Sequence, residues 1–277
     1  MSSSRADWVP SGAWLTPRYA EWAPPPALRG EVSCLWTSLT PEPAGPAGQP
    51  DQAQVGQAGL VLPDACSDLI WEQGVGCYIA GPDTRPARTL TKAGAVIVGI
   101  RFLPSAGGQV LKTPLSEIMN QRVPLADLLP SAAKRLTATL DPAQAAGRVL
   151  DVTGTLVADG DPDPAMARAA ALLHNPAVRT EAVAAEVGLS ERQFRRRCQA
   201  TAGYGPKTLQ RVLRFQRFVR LLDAAPTPPD LAAVAARAGY ADQPHLTREC
   251  SDLSGLTPAS LARIRHSWQE GWEGGRQ

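Results

Sequence analysis

The spacing of hydrophobic positions changes partway along the chain. Between residues 59 and 104 they form short runs broken by Gly and Pro: "GLVLP" from Gly59, "SDLIWE" from Ser67, "GCYIAGP" from Gly76 and "GAVIVGIRFLP" from Gly94. Runs of this length, rich in Val, Ile and aromatics, predict strands. From Gly108 onward, "LSEIMN", "LADLL", "AAKRLTATL" and "AAGRVLDVTGTLVADG" read as helices or helical turns. The Pro/Gly/Ala stretch "PEPAGPAGQP" at 41–50 reads as a loop. Residues 1–160 are therefore expected to form a β-rich, barrel-like unit closed by a few helices.

Beyond the acidic hinge "DGDPDP" (159–164) the spacing is helical throughout. Asp163 suits an N-cap with Pro164 at the first helical position. Helices are expected over "AMARAAALLH", over Thr180–Gly188, and from Ser190 to about Thr201. Ser190 and Gln193 have the spacing of a capping box. Pro206 then opens "KTLQRVLRFQRFVRLLDA", in which Leu209, Val212, Leu213, Phe215, Val219 and Leu222 share one broad apolar face. "PTPP" at 226–229 ends it. "DLAAVAARAG", "ADQPHLTREC" and a last helix from Thr257-Pro258 follow, and the tail "QEGWEGGRQ" is expected to fray. The whole is α+β: a β-rich unit at 1–160 and an all-α unit at 161–277, with a linker helix over about 206–224.

The helical half repeats itself. Val183, Gly188 and Leu189 correspond to Val234, Gly239 and Tyr240. With one residue inserted, Phe194, Cys198 and Pro206 correspond to Leu246, Cys250 and Pro258. A helix ending in Gly, an apolar plug, an N-cap and a second helix make a helix-turn-helix, here over about 164–205 and again over 225–266. Gly188 and Gly239 fall where the turn needs positive φ. Phe194/Cys198 and Leu246/Cys250, four apart, point inward. That leaves Arg192, Arg195 and Arg196 outward in the first copy, and Gln243, His245, Thr247 and Arg248 in the second. Arg forks onto guanine and Gln onto adenine, so these are the residue types that read base edges. A linker helix over 207–224 would be about 27 Å long, close to the ~34 Å between successive major-groove faces.

Net charge is only +2, but it is unevenly placed. Residues 1–160 hold 12 basic and 14 acidic side chains, and 161–277 hold 16 and 12. From Arg192 to Arg220 there are nine Arg/Lys and no Asp/Glu, a density that suits a polyanion. Lys207, Arg211 and Arg197 are candidates for phosphate contacts. The five cysteines form no CxxC and match no zinc spacing, so reduced thiols, no metal and no cofactor are expected. With no apolar run of eighteen residues and no secretory h-region at the start, a cytoplasmic protein without a membrane partner is expected.

"VAAEVGLSERQFRRRC…GYGP" and "VAARAGYADQPHLTREC…SGLTP" resemble the two helix-turn-helix units of the AraC/XylS family of bacterial transcription regulators, over roughly 164–266. The resemblance implies double-stranded operator DNA as partner, with RNA polymerase if the protein activates, and base-facing roles for Arg192, Arg195, Arg196, Gln243, His245 and Arg248. Cys198 and Cys250 depart from it, standing where Phe is usual, as does Pro244 in the second reading helix. The N-terminal half, through "LVLPDACSDLIWE", "IAGP" and "GIRFLP", is more loosely similar to sensor domains of such regulators, which implies an effector-binding or dimer-forming unit. Trp36, Trp71, Tyr78 and Arg101 are candidates to line an effector pocket; core packing accounts for the aromatics equally well. The helical faces at 131–158 need burial, in a homodimer or against the chain's own β unit. Two other readings are a thiol-sensing regulator using Cys34, Cys66 and Cys77, and a DNA-repair alkyl transferase. The second lacks a proline-Cys-His-Arg motif and a four-Cys site, so no enzyme is expected.

Overall fold

The computed structural model describes residues 19–40, 57–137, 141–226 and 228–274. The chain's opening segment and the loop expected at 41–50 lie outside them. The strands are β1 (Tyr19–Trp22), β2 (Val32–Leu39), β3 (Gln57–Val61), β4 (Ser67–Glu72), β5 (Gly76–Ala80), β6 (Ala87–Thr91), β7 (Val96–Phe102) and β8 (Arg122–Pro124). Six form one antiparallel sheet in the order β1-β2-β7-β4-β5-β8, and β3 pairs with β6 in a separate ribbon.

Strand alternation sorts the side chains by face. Leu35, Ile100, Leu69, Ile79 and Val123 lie in one cross-strand row and point to one side. That side is covered by α1 (Gly107–Val110), α2 (Leu125–Leu128), α3 (Pro130–Thr137) and α4 (Pro142–Ala158). Ala145, Val149, Val152 and Leu156 of α4 are buried in this core. The apolar faces of 131–158 are thus spent on the chain's own sheet, which removes the reason for placing a dimer contact there. The adjacent rows, Trp36-Gly99-Ile70-Tyr78 and Cys34-Arg101-Asp68-Ala80-Arg122, point the other way. The β3–β6 ribbon stands across that side, where Arg88 and Leu90 of the ribbon and Tyr78 and Ile97 of the sheet line one cleft. The barrel is therefore a half-barrel: an open sheet partly closed by a ribbon.

Seven helices follow: α5 (Pro164–Leu173), α6 (Thr180–Glu186), α7 (Glu191–Ala202), α8 (Pro206–Asp223), α9 (Leu231–Ala238), α10 (Gln243–Ser254) and α11 (Pro258–Gly274). All six apolar residues expected on the inner face of α8 are buried, joined by Phe218. The last helix runs on to Gly274, further than the glycine-rich tail suggested. No helix among the described residues is long and apolar enough to cross a membrane.

Candidate nucleic-acid interface

Local chemistry fixes each helix pair. Asp163 caps α5 by accepting from the Met166 amide at 3.1 Å. Ser190 Oγ accepts from the Gln193 amide at 3.3 Å while Gln193 Oε1 accepts from the Ser190 amide at 3.0 Å, a closed capping box at the start of α7. Asp242 does the same work for α10, accepting from the His245 amide at 2.7 Å, and Pro244 sits in the first turn where no amide is missed. Gly188 and Gly239 take φ of +71° and +94° in the two turns. Gly203 and Gly255 close α7 and α10 in the same left-handed region, at +81° and +70°. Phe194, Cys198, Leu246 and Cys250 are buried, so the core accepts the smaller Cys side chains.

With the apolar positions turned inward, Arg192, Arg195 and Arg196 stand exposed on α7. Among the described residues none of the three has a carboxylate within ion-pair distance. On α10, Gln243 and Arg248 are exposed. Thr247 is half-buried and its hydroxyl donates to the Gln243 carbonyl at 2.9 Å. His245 turns toward α8: its Nε2 lies 3.3 Å from Glu249 and its ring meets Tyr240 edge-on at 5.2 Å.

The expected phosphate contacts divide similarly. Lys207 is exposed, 4.0 Å from Glu181. Arg197 is held by Asp163 at 3.1 Å, joining α7 to the start of α5. Arg211 is paired with Asp252 and lies 3.5 Å from Glu249. Arg214 is paired with Glu249 and stacks 5.2 Å above the Tyr240 ring. Glu249, a buried carboxylate gathering two arginines and the His245 ring, was not anticipated. His245 is its neighbour one turn back on α10, but the two arginines that pair with it lie on α8, out of reach of a local pattern. Its effect is to turn the positive charge of α8 to rigidity: α10 is clamped to α8, and the outer face of α10 is left with one exposed cation, Arg248, against three on α7.

The four residues proposed for an effector pocket do not converge. Trp71 faces the helix-covered core, on the opposite side of the sheet from Trp36, because strand alternation separates it from Ile70. Trp36 is buried against Gly99 and donates from Nε1 to Asp68 Oδ1 at 2.6 Å. Arg101 is buried between Glu21 at 3.3 Å, Asp64 at 3.1 Å and Asp68 at 3.3 Å, so it serves as an internal counter-ion rather than a ligand anchor. Burial pushes the Asp68 carboxyl up to about 6, with Arg101 opposing the shift. Of the four, Tyr78 alone borders the open cleft. Asp68 was findable in advance, since period two in "SDLIWE" puts it on the face of Ile70.

The N-terminal thiols are poorly placed for redox sensing. Burial and the Asp64 carboxylate raise Cys66 well above the ordinary thiol range, and burial pushes Cys77 up to about 11. Cys34 is buried and raised too, and all five cysteines are free. Thiol chemistry runs through the thiolate, which these surroundings disfavour.

The two units are packed together. Leu62 and Ala65, from the loop after β3, are buried in the core of the helical unit. Gln216 of α8 donates to the Pro63 carbonyl at 2.6 Å, and the Tyr204 hydroxyl donates to the Asp83 carbonyl at 2.6 Å. A Cβ on Gly108 would fall 2.2 Å from the Ala200 carbonyl, which shows how closely α1 meets the end of α7.

Residues 183–264 match a family model described as a helix-turn-helix domain, and residues 20–124 match a domain of unknown function, DUF6597. No curated protein matches the chain. Among solved structures, ToxT from Vibrio cholerae O395 is 8% identical, over 76% of this chain and 94% of that one, with a TM-score of 0.44. The same protein bound to (E)-4-(8-methylnaphthalen-1-yl)but-3-enoic acid is 9% identical, over 91% and 99%, with a TM-score of 0.42. At this similarity ToxT fixes neither ligand nor mechanism here. The capped helix pair written twice falls within the matched span, so the C-terminal part of the chain is an AraC-type helix-turn-helix domain.

Proposed function

We propose that the protein is a sequence-specific transcription regulator whose α7 and α10 read adjacent major-groove segments, with the β-rich unit, divided from the helical one near residue 160, setting DNA-binding activity in response to a small molecule. The observation that carries this reading is the outward row Arg192, Arg195 and Arg196, none engaged by a carboxylate of the described residues, with Gln243 and Arg248 on the corresponding face of α10. Buried anchors behind each row fix its direction, and α8, eighteen residues or about 27 Å long, spaces the rows. Arg forks and a Gln amide are the groups that discriminate base pairs in the major groove. Lys207 supplies a phosphate contact beside the first row.

Selection of binding sequences from randomised duplexes, at two salt concentrations, tests the reading. Two enriched blocks about 10.5 bp apart are expected. Arg196→Ala should erase information in one block and Arg248→Ala in the other. Salt-sensitive binding with no enriched block would reduce the arginines to phosphate contacts and overturn sequence-specific regulation.

A further inference from the structure

Three large apolar side chains are well exposed among the described residues: Trp22, Val75 and Leu90, at 49%, 62% and 75%. Two of them, Val75 and Leu90, line the same feature, the open cleft of about 660 Å³ between the ribbon strand β6 and the sheet. Its walls include Tyr78, Ile97, Pro86 and Pro124, and three arginines open onto it: Arg85, Arg88 and Arg122. Two carboxylates also line it, but both have partners. Glu72 accepts from the Tyr78 hydroxyl at 3.0 Å, and Asp83 holds Arg122 bidentately at 2.7 and 3.1 Å. Arg85 and Arg88 have no carboxylate within ion-pair distance among the described residues. The cleft thus pairs wetted apolar surface with two guanidinium groups outside direct ion pairs, of which Arg85 feels Asp83 at longer range, and a third on a displaceable partner. Its volume is in the range of small-molecule sites.

One wall of the cleft is also the seam between the units. Residues 82–86 form a strap held by the Asn120 amide on the Pro82 carbonyl at 3.0 Å, by the Thr84 amide and hydroxyl on Asn120 Oδ1 at 2.8 and 3.1 Å, and by the Arg122–Asp83 pair. The far side of the strap touches both helix-turn-helix units just past their reading helices. Asp83 accepts from Tyr204, Pro82 lies against Gly203, and a Cβ on Gly255 would sit 3.6 Å from Pro86.

Resting on the regulator reading above, we propose that this cleft binds an amphipathic organic anion, its acidic head on Arg85, Arg88 and Arg122 and its apolar body against Leu90, Val75 and Tyr78, and that the strap transmits occupancy to α7. The head competes with Asp83 for Arg122. Asp83 then loses the partner that fixes its backbone, and with it the carbonyl that Tyr204 needs.

The test uses the full chain and two fluorescent probes of similar shape, anionic anilinonaphthalene sulfonate and neutral N-phenylnaphthylamine. One saturable site is expected for each. The double variant Arg85→Ala/Arg88→Ala should bind the sulfonate about tenfold or more weakly, as expected for losing charge-assisted contacts, and the neutral probe unchanged. Leu90→Ser, at an exposed position, should weaken both. Unchanged sulfonate affinity in the double variant would overturn the site. Coupling is read by amide hydrogen exchange over residues 200–206. Exchange there should rise when the sulfonate saturates the native chain, and should be high and unresponsive in Tyr204→Phe. No change on saturation would overturn the relay. These readouts need no operator, so they stand or fall separately from the DNA selection.

Discussion

The Tyr204 hydroxyl donates to the Asp83 carbonyl at 2.6 Å, across 121 residues of sequence. Tyr204 follows α7 directly, and Asp83 leads from the sheet toward the ribbon. One buried hydrogen bond therefore ties the end of α7, the proposed reading helix, to the β-rich unit. Tyr204→Phe keeps the ring's packing and leaves the carbonyl unsatisfied, at a cost of about 1–3 kcal/mol. Amide exchange should accelerate at 82–86 and 200–206 while α9 and α10 keep their protection. Uniform acceleration would mean that the bond holds the whole fold rather than this seam.

Gly188 and Gly203 both adopt left-handed backbone, but their surroundings differ. Nothing lies within 4 Å of a Cβ placed on Gly188, whereas one on Gly203 would fall 2.5 Å from Pro82 Cγ. Gly188→Ala should cost only the left-handed strain, about 1–2 kcal/mol. Gly203→Ala should cost that plus the displacement of Pro82, another ~1–3 kcal/mol. Urea unfolding of the two variants provides the comparison, and equal losses would contradict the close approach.

Asp68 carries its folded-state carboxyl at about 6, above the ordinary 3.8. Between those values the folded chain holds a proton that the unfolded chain has lost, so this group's contribution falls as pH rises through the window and is level above it. Relative to Asp68→Asn, which still accepts from Trp36 Nε1, the native chain should lose stability from pH 4 to pH 6. Chemical denaturation of both at several pH values reads the difference. A difference that grows in the opposite direction would place Asp68 as a salt-bridged carboxylate with a depressed value.

Arg248 and Arg214 should separate reading from rigidity. Arg248→Ala removes an exposed side chain, so stability should hold within about 0.5 kcal/mol while DNA affinity drops by ~1–3 kcal/mol at one block. Arg214→Ala removes the tightest partner of the buried Glu249 and leaves it Arg211 at 3.5 Å and His245 at 3.3 Å, so a loss of ~1–3 kcal/mol in stability is expected. Melting curves and binding titrations on the same preparations check both. A stable Arg214→Ala protein with weakened DNA binding would make Arg214 a DNA contact.

Local patterns carried most of the helical half. Caps at Asp163, Ser190 and Asp242, glycines at 188 and 239, and the i, i+4 pairs Phe194/Cys198 and Leu246/Cys250 are each decided by neighbours within one turn, so a linear reading reaches them. The strands β3, β4, β5 and β7 were legible for the same reason, from short apolar runs between glycines and prolines. The exposed arginine row on α7 followed from subtracting the buried positions. Partners distant in sequence were not legible. Trp71 and Trp36 looked alike as aromatic residues, and sheet register put them on opposite faces. Arg101 looked like an anchor for a ligand until Glu21, Asp64 and Asp68 closed around it. Arg211 looked free until folding brought Glu249 and Asp252 of α10 against α8. A backbone conformation depends on a few adjacent side chains, whereas the availability of a charge depends on every group folding brings within a few ångströms. The sequence by itself therefore determined which residues stand outward on α7 and α10, and only the tertiary structure decided which of them keep their charge outside an ion pair among the described residues.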